Sequence, residues 1–308
     1  MRILHTLSIV SPARNEADNV PSLHAAIEAV LAPLMLDWEL IVVDDGSTDG
    51  TFEQLRALHD RDPRVKALRL SRNFGHEAAT TAGLEHATGE AVILIDADFQ
   101  DPPELLPEMI ALWRAGNDIV TARRLSREGE SFFKRATSSL YSRMIFSMAG
   151  WDIPKDTGDF GLYGREVVKA FCQCRERNRL VRALMAWPGF QRTEITFNRP
   201  KRLGGETKYG VFRLIALGLN SLLSFSIVPL RMLWSFGLGL MAVSVAGFAG
   251  LALWNGISMA LCLLASLWFI AGMQCVFLGL VGEYVGKIYV EVQQKPNYIV
   301  WDRLGLEP

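Results

Sequence analysis

Apolar and polar positions alternate along the front of the chain in a way that predicts its elements. Leu7-Ser8-Ile9-Val10 is a short apolar run and reads as a strand. Val20, Leu23, Ile27, Val30 and Leu31 then recur at helical spacing. Glu39-Leu40-Ile41-Val42-Val43 predicts a second strand, and Phe52, Leu55 and Leu58 mark the helix behind it. Val65 to Leu70 predicts a third strand and Phe74 to Ala87 an Ala-rich helix. Ala91-Val92-Ile93-Leu94-Ile95 predicts a buried fourth strand; Pro102-Pro103 then blocks its extension and suits a helix start. Asp118-Ile119-Val120-Thr121-Ala122 predicts a fifth. Strands that alternate with helices over short links argue for an α/β fold, a parallel sheet covered on both faces.

The pattern changes character beyond residue 200. Tyr209 to Leu230 places Phe212, Ile215, Leu219, Leu222 and Phe225 on one helical stripe, with Arg213 as the only charge. That is the pattern of a helix lying in a membrane interface, with a core helix docked on the sheet as the alternative. From Met232 to Gly282, 51 consecutive residues lack Asp, Glu, Lys and Arg. A membrane span needs about 20 apolar residues. The run therefore predicts two transmembrane helices joined by a turn at Trp254-Asn255-Gly256-Ile257-Ser258. A buried hairpin of a soluble protein would keep a polar stripe. Arg231 precedes the first span, Lys287 and Lys295 follow the second, and the turn is uncharged. Positive residues stay cytoplasmic, so the chain is expected to be integral to the cytoplasmic membrane with its front domain and tail inside. The expected organisation is a cytoplasmic α/β domain over residues 1–208 and an amphipathic interfacial segment over 209–230. A transmembrane hairpin over 231–285 and a cytoplasmic tail over 286–308 complete it.

Composition narrows this only at the edges. The 308 residues hold an ordinary domain and something more, and the net charge of −1 gives no basic footprint for nucleic acid. Leu7 to Val10 is too short for a signal-peptide core and Arg14-Asn15-Glu16 follows it, so no leader is expected. Cys172, Cys174, Cys262 and Cys275 complete neither a zinc set nor a disulfide framework and read as packing residues.

Candidate chemistry gathers at the ends of the predicted strands. Arg14, Asn15 and Glu16 follow the first, Asp44 and Asp45 the second, Arg72 and Asn73 the third, Asp96 and Asp98 the fourth. Polar strand ends on one sheet edge describe a nucleotide crevice. A G-x-G-x-x-G after the first strand and a G-x-x-x-x-G-K-[ST] are both missing, which disfavours a dinucleotide fold and a P-loop nucleotidase. If the fourth strand persists, Asp96 and Asp98 at i and i+2 face one hard cation that bridges nucleotide phosphates. A solvated turn before Pro102 is the bland alternative. Ser47, Thr48 or Asp49 is expected to cap the next helix. A helix from about Phe132 to Met148 carries Arg135, Ser139 and Arg143 on a polar face, either an ordinary solvated face or a cationic site for a phosphate head group. Arg199, Lys201, Arg202 and Lys208 against Glu206 suit a basic loop over a diphosphate.

The series Pro12-Ala13-Arg14-Asn15-Glu16, Val42-Val43-Asp44-Asp45-Gly46-Ser47-Thr48-Asp49, Arg72-Asn73-Phe74-Gly75 and Asp96-Ala97-Asp98-Phe99-Gln100-Asp101-Pro102 resembles the family 2 glycosyltransferases of GT-A fold. The resemblance implies that Pro12, Arg14, Glu16 and Asp45 hold base and ribose, with Asn15, Arg72 and Ala97 in the same nucleotide site. It places Asp96 near the ribose and makes Asp98 the ligand of Mg²⁺ or Mn²⁺ on the diphosphate. Further segments resemble the polyprenyl-phosphate glycosyltransferases, the group of dolichyl-phosphate mannose synthase, the bactoprenol glucosyltransferases and the undecaprenyl-phosphate aminoarabinose transferase. They are Asp156-Thr157-Gly158-Asp159-Phe160-Gly161-Leu162, Arg199 to Tyr209, Ser224 to Leu230 and Gly282 to Tyr289. Gly161 stands where many relatives have Arg and Ala183 where Gly is frequent, which leaves the sugar unassigned.

The expected reaction moves one sugar, expected to be UDP-linked, from a nucleotide diphosphate to a polyprenyl phosphate at the cytoplasmic membrane face. By resemblance it inverts the anomeric centre. Asp159 resembles the family's proposed base, Arg202 and Lys208 are expected on the diphosphate, and Arg124, Arg135 and Ser139 on the acceptor phosphate. A homo-oligomer is compatible with the sequence. The alternatives are a processive polysaccharide synthase, whose Q-x-x-R-W motif is missing from Asn178-Arg179-Leu180-Val181-Arg182, and a non-catalytic lipid-carrier translocase or scaffold.

Overall fold

The computed structural model describes residues 2–124, 157–177, 179–197 and 259–307, with a few positions between 230 and 247. Two compact units result. The first takes in the front of the chain and also the residues from Lys295 onward; the second holds the long C-terminal helix.

The first unit is built on strands β1 (Thr6–Ala13), β2 (Asp37–Asp44), β3 (Val65–Leu70), β4 (Ala91–Leu94), β5 (Ile119–Arg124), β6 (Thr157–Gly164), β7 (Arg192–Phe197) and β8 (Val300–Leu304). Their order in one sheet is β7-β5-β6-β4-β1-β2-β3-β8. β1 runs parallel to β2 and β4, β2 parallel to β3, and β5 parallel to β7. β6 lies antiparallel between β4 and β5, and β8 antiparallel on the edge of β3. The sheet is therefore mostly parallel rather than wholly so.

Period-two alternation sorts each strand between two cores. Leu40 and Val42 of β2 join Ile9 on one face, under helices α1 (Asn19–Leu31), α2 (Thr51–Arg61) and α4 (Leu106–Arg114). Ile41 and Val43 join Val10 on the other, under α3 (His76–His86), α5 (Arg165–Gln173) and α6 (Val181–Ala186). Ile9, Leu40, Ile41 and Leu23 are fully buried, each worth roughly 1.5–3 kcal/mol of transfer free energy. This double cover is the architecture the front of the sequence predicts.

β6 escaped the sequence reading because TGDFGLYG has no clean alternation. Its register explains the glycine. A Cβ on Gly161 would lie 2.7 Å from the Val120 carbonyl oxygen, so β5 approaches too closely for any side chain without a shift. β8 escaped for a different reason. Val300–Leu304 is five residues long, and its pairing partner lies more than two hundred residues upstream. Within the segment expected as a cytoplasmic tail, Val300–Leu304 forms an edge strand.

In the second unit, α7 (Met259–Val292) is 34 residues long. Its segment Ser266–Val292 contains an 18-residue window of mean hydropathy 1.5 and is long and apolar enough to cross a membrane. Leu267, Trp268, Val276 and Leu278 on this helix are exposed. The other predicted span, the interfacial segment and the predicted helix 132–148 lie largely or wholly outside the described residues.

Candidate active site

Strand β4 stops at Leu94, and Ile95 extends the pairing by one bond, its N–H donating to the Val10 carbonyl at 3.1 Å. Asp96 and Asp98 therefore sit on a loop, and the i, i+2 argument from a persisting strand does not apply. Phe99 has φ +58°, and this left-handed step folds the loop back on itself. Gln100 then donates to both oxygens of Asp98, through its backbone N–H at 3.1 Å and its side-chain amide at 2.5 Å. Buried Asp101 accepts the Asp96 N–H at 3.3 Å. Ala97 is buried beneath the loop. The carboxylates are thus presented by a tight turn, neither on a strand nor on a loose loop.

The neighbouring loops are fastened to one another. Asn15 has φ +56°; its N–H donates to Ser47 Oγ at 2.9 Å, and its Oδ1 accepts the Thr48 N–H at 2.9 Å. The Glu16 N–H donates to Thr51 Oγ1 at 3.0 Å, while Glu16 Oε2 accepts from Asn19. The N-cap of α2 is Gly50, with no side-chain cap, so none of the three expected capping residues takes that position; Asp49, one residue before it, accepts the Thr51 N–H at 3.0 Å, and Ser47 bonds the other loop. Pro12 is half-buried in β1, and Arg14 is exposed beyond it.

Asp45 spends both oxygens on backbone. It accepts the Phe74 N–H at 2.7 Å and the Gly75 N–H at 2.9 Å. Burial pushes its carboxyl above the usual range, although these bonds and Arg14 pull the other way. Gly46 lets the two loops touch: φ is +65°, and a Cβ there would meet the Arg72 carbonyl carbon at 2.6 Å. Arg72 stacks over Phe74 at 4.5 Å.

The loop that Asp45 holds delivers His76, which the sequence reading missed. His76 Nε2 lies 3.4 Å from Asp159 Oδ2 and 3.9 Å from Asp96 Oδ1. Asp159, chiefly, and then Asp96 push the imidazole up to about 9. It is a cation between two carboxylates at neutral pH. Alternation along β6 accounts for Asp159: Phe160 and Leu162 enter one core, and Asp159 and Tyr163 face the side of α3. Among the described residues Asp159 Oδ1 is buried without a hydrogen-bond partner. The available signal for His76 was its place directly after Arg72-Asn73-Phe74-Gly75, at a strand's C-terminal end.

Asp96, Asp159 and His76 are brought together; Asp45, Asn15 and Glu16 build the loops around them. Arg124 closes β5, but its side chain is outside the described residues, as are Arg135, Ser139, Arg202 and Lys208. Among the described residues no three of His, Cys, Asp and Glu form a metal cage. The donor set is still the right one for a hard cation: carboxylate oxygens on a tight turn. A Mg²⁺-like ion takes one or two carboxylates and completes its shell with phosphates and water.

A mostly parallel sheet with carboxylates and an imidazolium gathered beyond its strand ends defines a ligand-handling α/β enzyme. The model of glycosyl transferase family 2 matches residues 8–171. An uncharacterized glycosyltransferase of Synechocystis sp., sll0501, is 40% identical over 307 residues, 98% of this chain and 96% of the relative. YkcC of Bacillus subtilis, an uncharacterized glycosyltransferase, is 38% identical over 305 residues, 97% and 94%. A prophage bactoprenol glucosyl transferase homolog of Escherichia coli is 35% identical over 301 residues, 96% and 98%. The chain belongs to glycosyl transferase family 2 and has its GT-A fold.

Proposed function

We propose that this glycosyltransferase moves one sugar from a nucleotide-diphosphate sugar, UDP-linked, to a polyprenyl phosphate at the cytoplasmic face of the membrane. The observation that carries the reading is the pairing of this site with a membrane-length apolar helix in one chain. The bactoprenol glucosyl transferases among its relatives, similar over nearly the whole length, support the acceptor class.

A phosphate oxygen of the acceptor attacks the anomeric carbon as the bond to the nucleoside diphosphate breaks. One in-line displacement inverts that centre. The second pKa of a phosphate monoester is near ~6, so the nucleophile is already ionised and needs little from a base. Asp159 then orients the acceptor or a sugar hydroxyl through Oδ1, while His76 holds Oδ2. Pro12, Arg14, Glu16 and Asp45 shape the nucleotide site with Asn15, Arg72 and Ala97. Arg202 and Lys208 neutralise the departing diphosphate; Arg124, Arg135 and Ser139 hold the acceptor phosphate. Asp98, with Asp96, would hold Mg²⁺ or Mn²⁺, which when bound stabilises negative charge on the leaving group.

Incubating the membrane-embedded chain with labelled nucleotide sugars and a short polyprenyl phosphate tests this by mass spectrometry of the lipid fraction. A lipid-linked monosaccharide is expected. A polymer would show a processive synthase, and no product with any donor would favour a translocase or scaffold.

A further inference from the structure

The first unit contains a cavity of 610 Å³, and of its lining the proposed transfer reaction uses Arg72. Four segments wall it: the β3–α3 loop, the first turns of α3, the chain between α5 and α6, and the chain just before β8. Each of these segments except α3 brings a cation: Arg72 from the first, Arg177 and Arg179 from the third, Lys295 from the last. Among the described residues Glu77 is the only acid on the wall. Its Oε2 accepts the Val181 N–H at 2.9 Å, and burial raises its carboxyl pKa to about 7, so it is only partly charged at neutral pH. Asn73, Asn297 and Thr81 add hydrogen-bonding groups between the cations.

Not all four cations serve a ligand. Arg179 is nearly buried, bonded to the Cys174 carbonyl at 2.7 Å and paired with Glu85 at 3.4 Å; it is part of the wall. Arg177 and Lys295 are exposed at the rim, and Arg72 stacks on Phe74 beside them. Lys295 follows the end of α7 at Val292 by three residues, which as extended chain reach about 10 Å at most. Covalent connection alone keeps this cation near the membrane face if α7 is a span.

We infer that the cavity is a binding site for a phosphate-bearing anion, presented by a membrane phospholipid headgroup or as free phosphate, and separate from the reacting acceptor. Its size suits a polar headgroup, and guanidinium and ammonium groups around amides are the chemistry that recognises phosphate. α3 places it next to the reaction: His76 faces the carboxylates and the next residue, Glu77, lines the cavity. The inference rests on the proposed membrane location but not on the identity of donor or acceptor.

The test is calorimetric titration of the full chain, in neutral detergent and without donor, with dioctanoyl phosphatidylglycerol, dioctanoyl phosphatidylcholine or inorganic phosphate. Phosphatidylglycerol is expected to bind at least about tenfold more tightly than the zwitterionic lipid, and Arg177→Gln with Lys295→Gln is expected to weaken it about tenfold or more. Arg177→Lys with Lys295→Arg should restore binding, which a folding defect would not. Inorganic phosphate binding as tightly as the lipid, with the same loss in the double variant, assigns the site to free phosphate. Wild-type lipid and phosphate affinity in the double variant, absence of binding by either, or displacement of the lipid by UDP overturns the inference. Because the readout is binding, failure of sugar transfer with every donor would leave this outcome unaffected.

Discussion

Replacing His76 with Gln keeps a hydrogen-bond donor at the start of α3 but removes the cation between Asp96 and Asp159. If His76 holds Asp159 in its working orientation, His76→Gln should lower kcat by about ten- to a hundredfold with a much smaller change in donor KM. A matching loss in donor affinity would place it on the nucleotide instead. Asp98→Asn should abolish metal-dependent transfer while leaving thermal unfolding near wild type; retained activity would remove Asp98 from the metal site. Glu39 gives a prediction about stability alone. Burial would raise its carboxyl pKa, but Lys66 at 2.7 Å, Ser8 and Thr88 outweigh that and hold it low. A depressed carboxylate stabilises the fold above its unfolded pKa, about 4.5, and the contribution is lost as pH falls through the lower folded value. Glu39→Gln should therefore cost roughly 2 kcal/mol at neutral pH. Denaturant unfolding of wild type and variant should converge as pH drops below about 4.5.

At the scale of elements, the parallel half of the sheet was legible because β1 to β4 write their burial as local apolar runs with polar ends. What was not legible depended on partners far away in sequence. β6 is a strand because β4 and β5 flank it, and β8 is one because β3 has an open edge. The site divides in the same way. Asp96, Asp98 and Asp159 stood out as motifs, but the turn at Phe99 and the delivery of His76 by Asp45 are products of loop-to-loop bonding. Gly46 tests that bonding. Gly46→Ala meets both a left-handed φ and the Arg72 backbone, and should destabilise the fold by roughly 2 kcal/mol while weakening donor binding. Urea unfolding and donor titration on the same variant check both effects.

For the whole molecule, the segment Ser266–Val292 would extend about 40 Å as a helix, longer than the ~30 Å hydrocarbon layer. Glu283, Lys287 and Glu291 lie in its last ten residues, where a span would be leaving the apolar layer. The expected outcome is that alkaline carbonate leaves the chain in the membrane pellet and only detergent releases it. Release by carbonate would argue against a spanning helix.

The placement of β8 also bears on how the molecule is made. A ribosome completes β3 long before it reaches Val300, at 5–20 residues per second a gap of roughly 10–50 s. Throughout that interval one margin of the nascent sheet has backbone amides and carbonyls with no partner, a template for unwanted pairing with other growing chains. The final strand closes that margin only after the apolar helix before it has left the ribosome. A truncation that spares every group of the reaction centre should still lower the yield of folded protein.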